Sequence, residues 1–385
     1  MYLTYRINRT TQTQKTNLFD AILSNTTSIQ ESKDMDYPEY FTLKTTAIVK
    51  TTFNSWQVEQ LRAALHKLAK EAKMLIDSDL DKHYTTFKIP KHNGKFRTID
   101  APGEILKDFL TRVKNTLQNT LQIYPHNAAF AYIQHRSNKH ALIKHQYNES
   151  KWFLHLDLKD FFSNCTEEFI HSQLKQVFPF SEMYKNPQDI LVMQIIIASA
   201  LYKGRLPQGT PLSPYLTNII MIPIDYALHN LCKQWNKQHF VYTRYADDID
   251  ISSKYEFDYK TLVAEIDKIL ATNSPLQING EKIHYGSNAG RNWHLGLMLN
   301  QQNKITVGHK KKKAIKQKLM NYCTNKTNWQ LDDIQCFLGE LAYFKNIEPD
   351  YHEYLIEQYS KKYNQNTNIV DELCKQLALN RFSNA

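Results

Sequence analysis

The chain has 385 residues, of which 48 are Lys or Arg and 38 are Asp or Glu, so its formal net charge is +10. A chain of this length can bury a substantial core and has room for two or three domains, and its basic balance favours a polyanionic partner. The five cysteines form no Cys-X-X-Cys pair, so neither a disulfide framework nor a cysteine zinc site is indicated, and no run approaches the ~18 apolar residues of a membrane span.

Residues 1–53 are rich in Thr, Asn and Gln, include β-favouring pieces such as the run from Tyr40 to Val49, and receive no functional assignment. A helix is predicted from Asn54, because apolar residues from Leu61 to Leu75 recur at helical spacing and Asn54 with Gln57 fits a capping box. The next block, from Tyr84 to Pro102, contains two alternating runs around His-Asn-Gly. It predicts a β-hairpin with basic residues at the turn and on the return strand.

The segment after the hairpin carries Arg136 among several His and Lys residues. Two interpretations remain open for Arg136, a template-binding role and a structural role. Further on, a strand is predicted around Asp157, because Leu154, Leu156 and Leu158 share one face and leave the carboxylate on the other.

Residues 165–203 are predicted to be helical, and Gly204 to Asn218 is predicted to be a turn that leads into a helix. This turn contains the string Pro-Gln-Gly-Thr-Pro. Because Gly209 has no side chain, its backbone can approach another group closely.

The run from Val241 to Ser252 predicts two short strands joined by a tight turn that projects Asp247 and Asp248. Adjacent carboxylates repel and one tends to protonate, unless a divalent cation keeps both ionised. Asp-Asp pairs are also common in ordinary surface turns. With Asp157, however, three acids from two strands suit a two-metal site for nucleotidyl transfer.

The rest of the chain alternates helices and short strands. We expect a helix from Phe257 to Thr272, a strand from Leu276 to Ile283 and a strand pair from Trp293 to Leu299. Six lysines then fall between Lys310 and Lys318 and begin an all-helical region. A solvated face is the usual interpretation of such a cluster, but its position favours contact with a nucleic-acid backbone.

These blocks resemble, in the same order, those of the reverse transcriptases. The family carries an acid followed five residues later by an aromatic residue, then Gln-Gly, then Tyr-X-Asp-Asp, which match Asp157 with Phe162, Gln208 with Gly209, and residues 245–248. The resemblance implies an α+β right-hand polymerase with fingers, a ferredoxin-like palm with an antiparallel sheet, and a helical thumb. The predicted domains are an N-terminal extension (1–80), fingers (81–150), palm (151–308, with helices of the fingers inserted near 165–203) and thumb (309–385).

The resemblance also implies the roles of individual residues. Two Mg²⁺ ions, with Mn²⁺ as an alternative, would be held by the catalytic acids and one backbone group: Asp157, Asp247, Asp248 and the backbone of Leu158. The incoming dNTP would be bound by Lys91, Arg97, Phe162, Gln208, Gly209 and Lys282, with Phe162 as the steric gate against ribose. Nucleic acid would be bound by Arg136, Tyr245, Lys310, Lys311, Lys312 and Lys313.

The implied enzyme is an RNA-directed DNA polymerase of the bacterial cytoplasm, with no membrane partner, similar to retron reverse transcriptases. Two retron signatures differ: His140-Ala141 replaces Asn-Ala, and His294-Leu295-Gly296 replaces Val-Thr-Gly. We therefore expect a defence-associated enzyme that copies a dedicated structured non-coding RNA into DNA, with a companion defence protein or a homo-oligomer left open. A true retron, protein-primed or template-independent synthesis, and an inactive RNA-binding scaffold are the alternatives.

Overall fold

The structure is a computed structural model. It describes residues 40–90, 94, 96–121, 125–235, 239–289, 294–325, 329–363 and 368–382. For residues 40–55, 57, 120, 121 and 379–382 only the backbone is described. The chain forms two compact units, each assembled from three segments.

The first unit contains the described residues up to Tyr132, together with Leu158–Leu228 and Ile266–Gln277. Its β-hairpin pairs β1 (Tyr84–Pro90) with β2 (Phe96–Pro102) in antiparallel register. Its helices are α1 (Tyr40–Asp77), α2 (Glu104–Leu121), α4 (Phe161–Asn164), α5 (Glu167–Leu174), α6 (Phe180–Met183), α7 (Pro187–Ala200) and α8 (Ser213–Ile220).

The core of the first unit lies where α1 packs against α2 and α7. Leu61 and Leu65 of α1 and Phe109 of α2 are fully buried, as the helical spacing of these apolar residues requires. An ion pair supports the packing, since Arg62 Nε donates to Asp189 Oδ2 of α7 at 2.8 Å.

The second unit contains Ile133–Asp157, His229–Glu265 and the described residues from Ile278 onward. Helix α3 (Asn138–Tyr147) precedes β3 (Trp152–Asp157), and a four-stranded antiparallel sheet runs in the order β4, β5, β3, β6. The other strands of this sheet are β4 (Val241–Tyr245), β5 (Asp248–Ser253) and β6 (His284–Ser287). Helices α9 (Ile222–Gln234) and α10 (Tyr259–Asn273) each have residues in both units.

A small hairpin and four helices complete the second unit. They are β7 (Met298–Leu299), β8 (Ile305–Thr306), α11 (Gly308–Thr324), α12 (Leu331–Ile347), α13 (Pro349–Lys362) and α14 (Ile369–Phe382). Leu319, Phe337, Leu341 and Phe344 join one apolar cluster that reaches Phe153 of β3. The helices therefore share a core with the sheet that carries the candidate site.

The α+β class, the antiparallel palm-type sheet and the helical carboxyl-terminal region are confirmed. Three local predictions are wrong. In the described part of the segment predicted as a strand pair, His294 and Leu297 form only an isolated bridge, and the strand pair joins Met298–Leu299 to Ile305–Thr306. Helix α1 begins at Tyr40, so the run to Val49 is helical and Asn54 lies inside the helix instead of capping it. The segment from Leu276 to Ile283 is a loop with a 3₁₀ turn, and the strand begins only at His284.

The chain order of fingers, palm and thumb remains a prediction. Among the described residues, no helix is both long and apolar enough to cross a membrane.

Candidate active site

The three acids singled out in the sequence lie at one end of the four-stranded sheet. Asp157, the last residue of β3, stands directly opposite Asp248, the first residue of β5. Opposed residues of an antiparallel pair project to the same face, so the two carboxylates share a face. Asp247 precedes Asp248 in the turn between β4 and β5, as predicted.

The turn that carries Asp247 has a constrained backbone. Ala246 has φ +59°, a left-handed conformation that a residue with a Cβ adopts only where its surroundings hold it. Arg244, fully buried on β4, donates from Nη1 to the carbonyl of Ala246 at 3.1 Å. A buried guanidinium therefore supports the loop from within the sheet and fixes the direction of the acidic pair.

Burial and the neighbouring carboxylates together change the protonation equilibrium of Asp247. Partial burial, followed by the neighbouring charges of Asp248 and Asp157, raises the pKa of Asp247 to about 6, against a smaller opposing effect of Lys282. This is the electrostatic situation that a divalent cation relieves, because oxygen ligands that would otherwise protonate stay ionised beside it. The donor set fits the hard cations that two-metal sites use.

Lys282 completes the site from the 3₁₀ turn. Its Nζ donates to Asp157 Oδ1 at 2.7 Å, and this hydrogen bond raises the pKa of the lysine. Asn279 also fixes Asp157, since its backbone N–H donates to the Asp157 carbonyl at 2.8 Å and its Nδ2 to Oδ2 at 3.3 Å. These bonds pull the segment into a turn, which explains why no strand forms there. Lys282, which the sequence predicted to belong to the site, therefore contacts Asp157 directly.

Several predicted nucleotide-binding residues lie in the first unit. Arg97 is exposed on β2, and Phe162 is half-buried with its ring packed edge-on against buried Phe161 at 5.6 Å. Gln208 accepts a hydrogen bond at its carbonyl from the backbone N–H of Asp100 at 2.8 Å. Lys91 lies outside the described residues.

The close backbone approach expected at Gly209 is real, and its partner within this unit is strand β2. The residue has φ +126°, and a Cβ there would stand 2.9 Å from Ile99 Cγ2 and 3.0 Å from the carbonyl oxygen of Asp100. Glycine is therefore required both by the backbone angle and by space.

The predicted nucleic-acid-binding residues lie in the second unit. Arg136 is half-buried ahead of α3, and Tyr245 is half-buried at the end of β4. The lysines of α11 divide into two kinds. Lys312 pairs with Glu348 at 2.5 Å, whereas Lys310 and Lys313 are exposed and form no ion pair with any described residue. Lys311 lies 5.5 Å from the centre of the Tyr343 ring.

Comparison with known proteins decides the family. The family described as reverse transcriptase (RNA-dependent DNA polymerase) matches residues 89–322, which is more than half of the chain. This chain belongs to the reverse transcriptase family.

Among characterised relatives, the enzyme is 29% identical to the Retron Ec83 reverse transcriptase of Escherichia coli, over 80% of this chain and 95% of the relative. It is 28% identical to the Retron Ec73 reverse transcriptase of the same species, over 70% of this chain and 85% of the relative. A solved apo telomerase from Candida tropicalis has a TM-score of 0.43 and 12% identity, over 72% of this chain and 58% of that chain, a likeness too distant to add functional information. The chain is a retron-like bacterial reverse transcriptase, and its activity is RNA-directed DNA synthesis.

Reverse transcriptases generally use divalent metal ions, and the carboxylates of residues 157, 247 and 248 are oxygen ligands of the type that such ions prefer. Sequence reasoning missed a second polar group on the same sheet face. The alternation that aligns Asp157 with Asp248 also aligns His155 with Asp250 one step further along the strands. The signal was present as His-X-Asp in β3 and Asp-X-Asp in β5, but it predicts a cluster only once the register is known.

Proposed function

We propose that this reverse transcriptase is a Mg²⁺-dependent enzyme that copies a dedicated, structured non-coding RNA into DNA as part of bacterial antiphage defence. The observation that carries the proposal is the site of three carboxylates and one lysine at the end of the sheet. The retron reverse transcriptases among its relatives support the dedicated RNA, and the +10 charge supports a nucleic-acid partner.

The acids and the lysine of the second unit would perform the chemistry. Asp157, Asp247 and Asp248 would hold two Mg²⁺ ions, with the backbone of Leu158 as a further ligand. When bound, these ions would activate the attacking hydroxyl and neutralise charge on the pyrophosphate. Lys282 keeps a proton on Nζ, because its bond to Asp157 raises its pKa. The lysine would therefore stand in the site as a cation that neutralises charge on the leaving pyrophosphate.

Residues of the first unit would select the nucleotide. Arg97, with Lys91, would bind the triphosphate, since a guanidinium pairs with phosphate oxygens through two parallel hydrogen bonds. The Phe162 ring would exclude the ribose 2′-hydroxyl, and Gln208 with Gly209 would contact the base pair. Deoxynucleotides are therefore the proposed substrates.

Recognition of nucleic acid would be spread over the second unit. Arg136 and Tyr245 would contact template and primer, and the exposed lysines of α11 would follow the phosphate backbone. Folded RNA is recognised mostly by its shape and its backbone. A distributed basic surface of this kind therefore suits one dedicated RNA.

The test of the polymerase site is Asp247→Asn combined with Asp248→Asn. Because these acids hold metal whereas affinity for nucleic acid depends on Lys and Arg, primer extension should fall at least about a thousandfold while RNA affinity changes less than about threefold. Circular dichroism would verify folding. A double variant that extends a primer at a rate near that of the wild type contradicts the assignment of the catalytic acids.

Sequencing the nucleic acid that copurifies with the wild type tests the dedicated template. One RNA species with matching complementary DNA supports the proposal, and a random set of cellular RNAs refutes it. Treating the product with protease and with ribonuclease separates the alternatives, because protein-primed DNA loses its attached peptide whereas a retron product loses its attached RNA. Phage plaque counts with the wild type and the double variant test the defence role.

A further inference from the structure

The sheet face that carries Asp157 and Asp248 also carries His155, Asp250 and His294, called here the His-Asp-His cluster, in which His155 is 20% exposed. His155 Nδ1 donates to Asp250 Oδ1 at 2.7 Å, and His294 Nδ1 lies 2.8 Å from the same oxygen. The side chains of Asp250 and His294 are 3% and 4% exposed. One ligand atom from each of the three residues lies within 4.8 Å of the other two.

His294 is the least satisfied member of the cluster. Its contact with Asp250 is short but lacks hydrogen-bond geometry, and among the described residues neither ring nitrogen has a hydrogen-bond partner. Leaving a buried imidazole without partners is costly, so such groups usually have a role. His145 stacks on the ring at 5.5 Å but cannot supply a bond, since its own nitrogens bond Ser252 at 2.6 Å and Thr243 at 2.8 Å.

We propose that the His-Asp-His cluster is a binding site for a transition-metal ion, with Zn²⁺ the ion that its ligands favour. Two imidazole nitrogens and one carboxylate oxygen form a donor set used by zinc and other transition metals. Hard cations such as Mg²⁺ prefer oxygen ligands and octahedral geometry. The site is therefore chemically distinct from the three acids at the end of the sheet.

The distances suit such an ion after a small adjustment. Zinc bonds of about 2.0–2.1 Å separate the atoms of two ligands by roughly 3.3 Å in a tetrahedral site. The two nitrogens are 2.7 and 2.8 Å from the Asp250 oxygen. The carboxylate therefore has to withdraw by roughly half an ångström, and a water molecule would be the fourth ligand.

The surroundings of His155 match those of a metal-bound histidine. Its second nitrogen, Nε2, lies 3.4 Å from Asp248 Oδ1, so a carboxylate faces the ring on the side away from the cluster. Histidine ligands commonly donate their other N–H to a carboxylate, which fixes the tautomer and the orientation of the ring. In this reverse transcriptase that carboxylate is a catalytic acid, so the ion would also position Asp248.

A proton is the alternative occupant. Burial alone would lower the pKa of His155, but its interactions with Asp248 and Asp250 raise it to about 10, and an imidazolium also balances the buried carboxylate. With a proton on His155, His294 keeps only its short contact of 2.8 Å to Asp250, whereas a metal ion would bind its Nδ1 directly. The experiment must therefore distinguish a bound ion from an imidazolium.

The experiment measures metal content by mass spectrometry on the purified full chain after dialysis against metal-free buffer, followed by Co²⁺ titration of chelator-stripped protein. About one ion per chain and a Co²⁺ absorption band typical of tetrahedral coordination are expected. His294→Gln and Asp250→Asn should each remove both signals. His284→Gln is the matched control, because that ring stacks on His155 at 6.5 Å yet is exposed and outside the cluster.

Asp157→Asn separates this inference from the proposed function. It should abolish primer extension and leave the ion and the Co²⁺ band in place, because Asp157 is not part of the cluster. If the cluster variants do not fold, the wild type alone still decides: Zn²⁺ should raise the melting temperature of the stripped protein. The proposal is overturned if the wild type holds no ion and shows no Co²⁺ band. It is also overturned if the band persists in folded His294→Gln protein. Either result would leave an imidazolium as the occupant of the cluster.

Discussion

Replacement of Lys310 and Lys313, two exposed lysines of α11, should measurably weaken the dependence of nucleic-acid binding on salt. Lys310 and Lys313 are solvated and form no ion pair with any described residue, whereas Lys312 already pairs with Glu348. A lysine that neutralises a phosphate releases counterions, and each contact adds about 0.7 to 0.9 to the slope of log K against log salt. The double variant Lys310→Gln with Lys313→Gln should therefore reduce the slope by about 1.4 to 1.8.

This change in slope corresponds to a definite change in affinity. When the salt concentration rises fourfold, from 50 to 200 mM, binding weakens by a certain factor in each protein. This factor should be about 7 to 12 times larger for the wild type than for the double variant. Fluorescence anisotropy with a labelled RNA–DNA duplex at several salt concentrations measures both slopes.

Two paired lysines on the same helix supply the control. Lys318 pairs with Glu340 and Lys312 with Glu348, so Lys312→Gln with Lys318→Gln removes the same formal charge from positions that are already partly neutralised. We expect a smaller change in slope for this control. Equal slopes for the wild type and the Lys310 and Lys313 variant would mean that these lysines form a solvated face without contact to nucleic acid.

Three further predictions concern the two units separately. Phe162→Ala should lower the ratio of dNTP to rNTP efficiency at least roughly tenfold, about 1.4 kcal/mol, in single-nucleotide extension; unchanged selectivity would remove the steric gate. Gly209→Ala should cost about 1–3 kcal/mol of unfolding free energy in urea titration, because of its φ and the clash with Ile99; a neutral effect would contradict the tight approach. Burial lowers the pKa of His145 to about 3, so the folded chain stays neutral there while the unfolded chain binds a proton below about pH 6.5. His145 therefore lowers the free energy of unfolding as the pH drops below 6.5, by up to about 1.4 kcal/mol per pH unit. His145→Asn should flatten that dependence relative to His309→Gln, an exposed control.

The sequence alone determined the elements whose signals are local. Alternating residues predicted β3 and the β1–β2 hairpin, and the acidic pair between two β-favouring runs predicted the turn that projects Asp247. The order of three short motifs then indicated the family, which comparison confirmed. Such features are readable because strand alternation, turn chemistry and motif spacing involve residues that are neighbours along the chain.

Only the tertiary structure decided which distant residues meet. The side chains of His294 and Asp250 lie 2.8 Å apart although they are far apart in the sequence, and Lys312 is neutralised by Glu348 because α11 and α13 pack together. Helix α1 likewise extends to Tyr40 through residues that favour strands, so the intrinsic propensity of that run did not decide its conformation. The partner of a buried ring or an exposed charge depends on long-range strand register and helix packing, and a periodic pattern shows which face a residue occupies but not what covers that face.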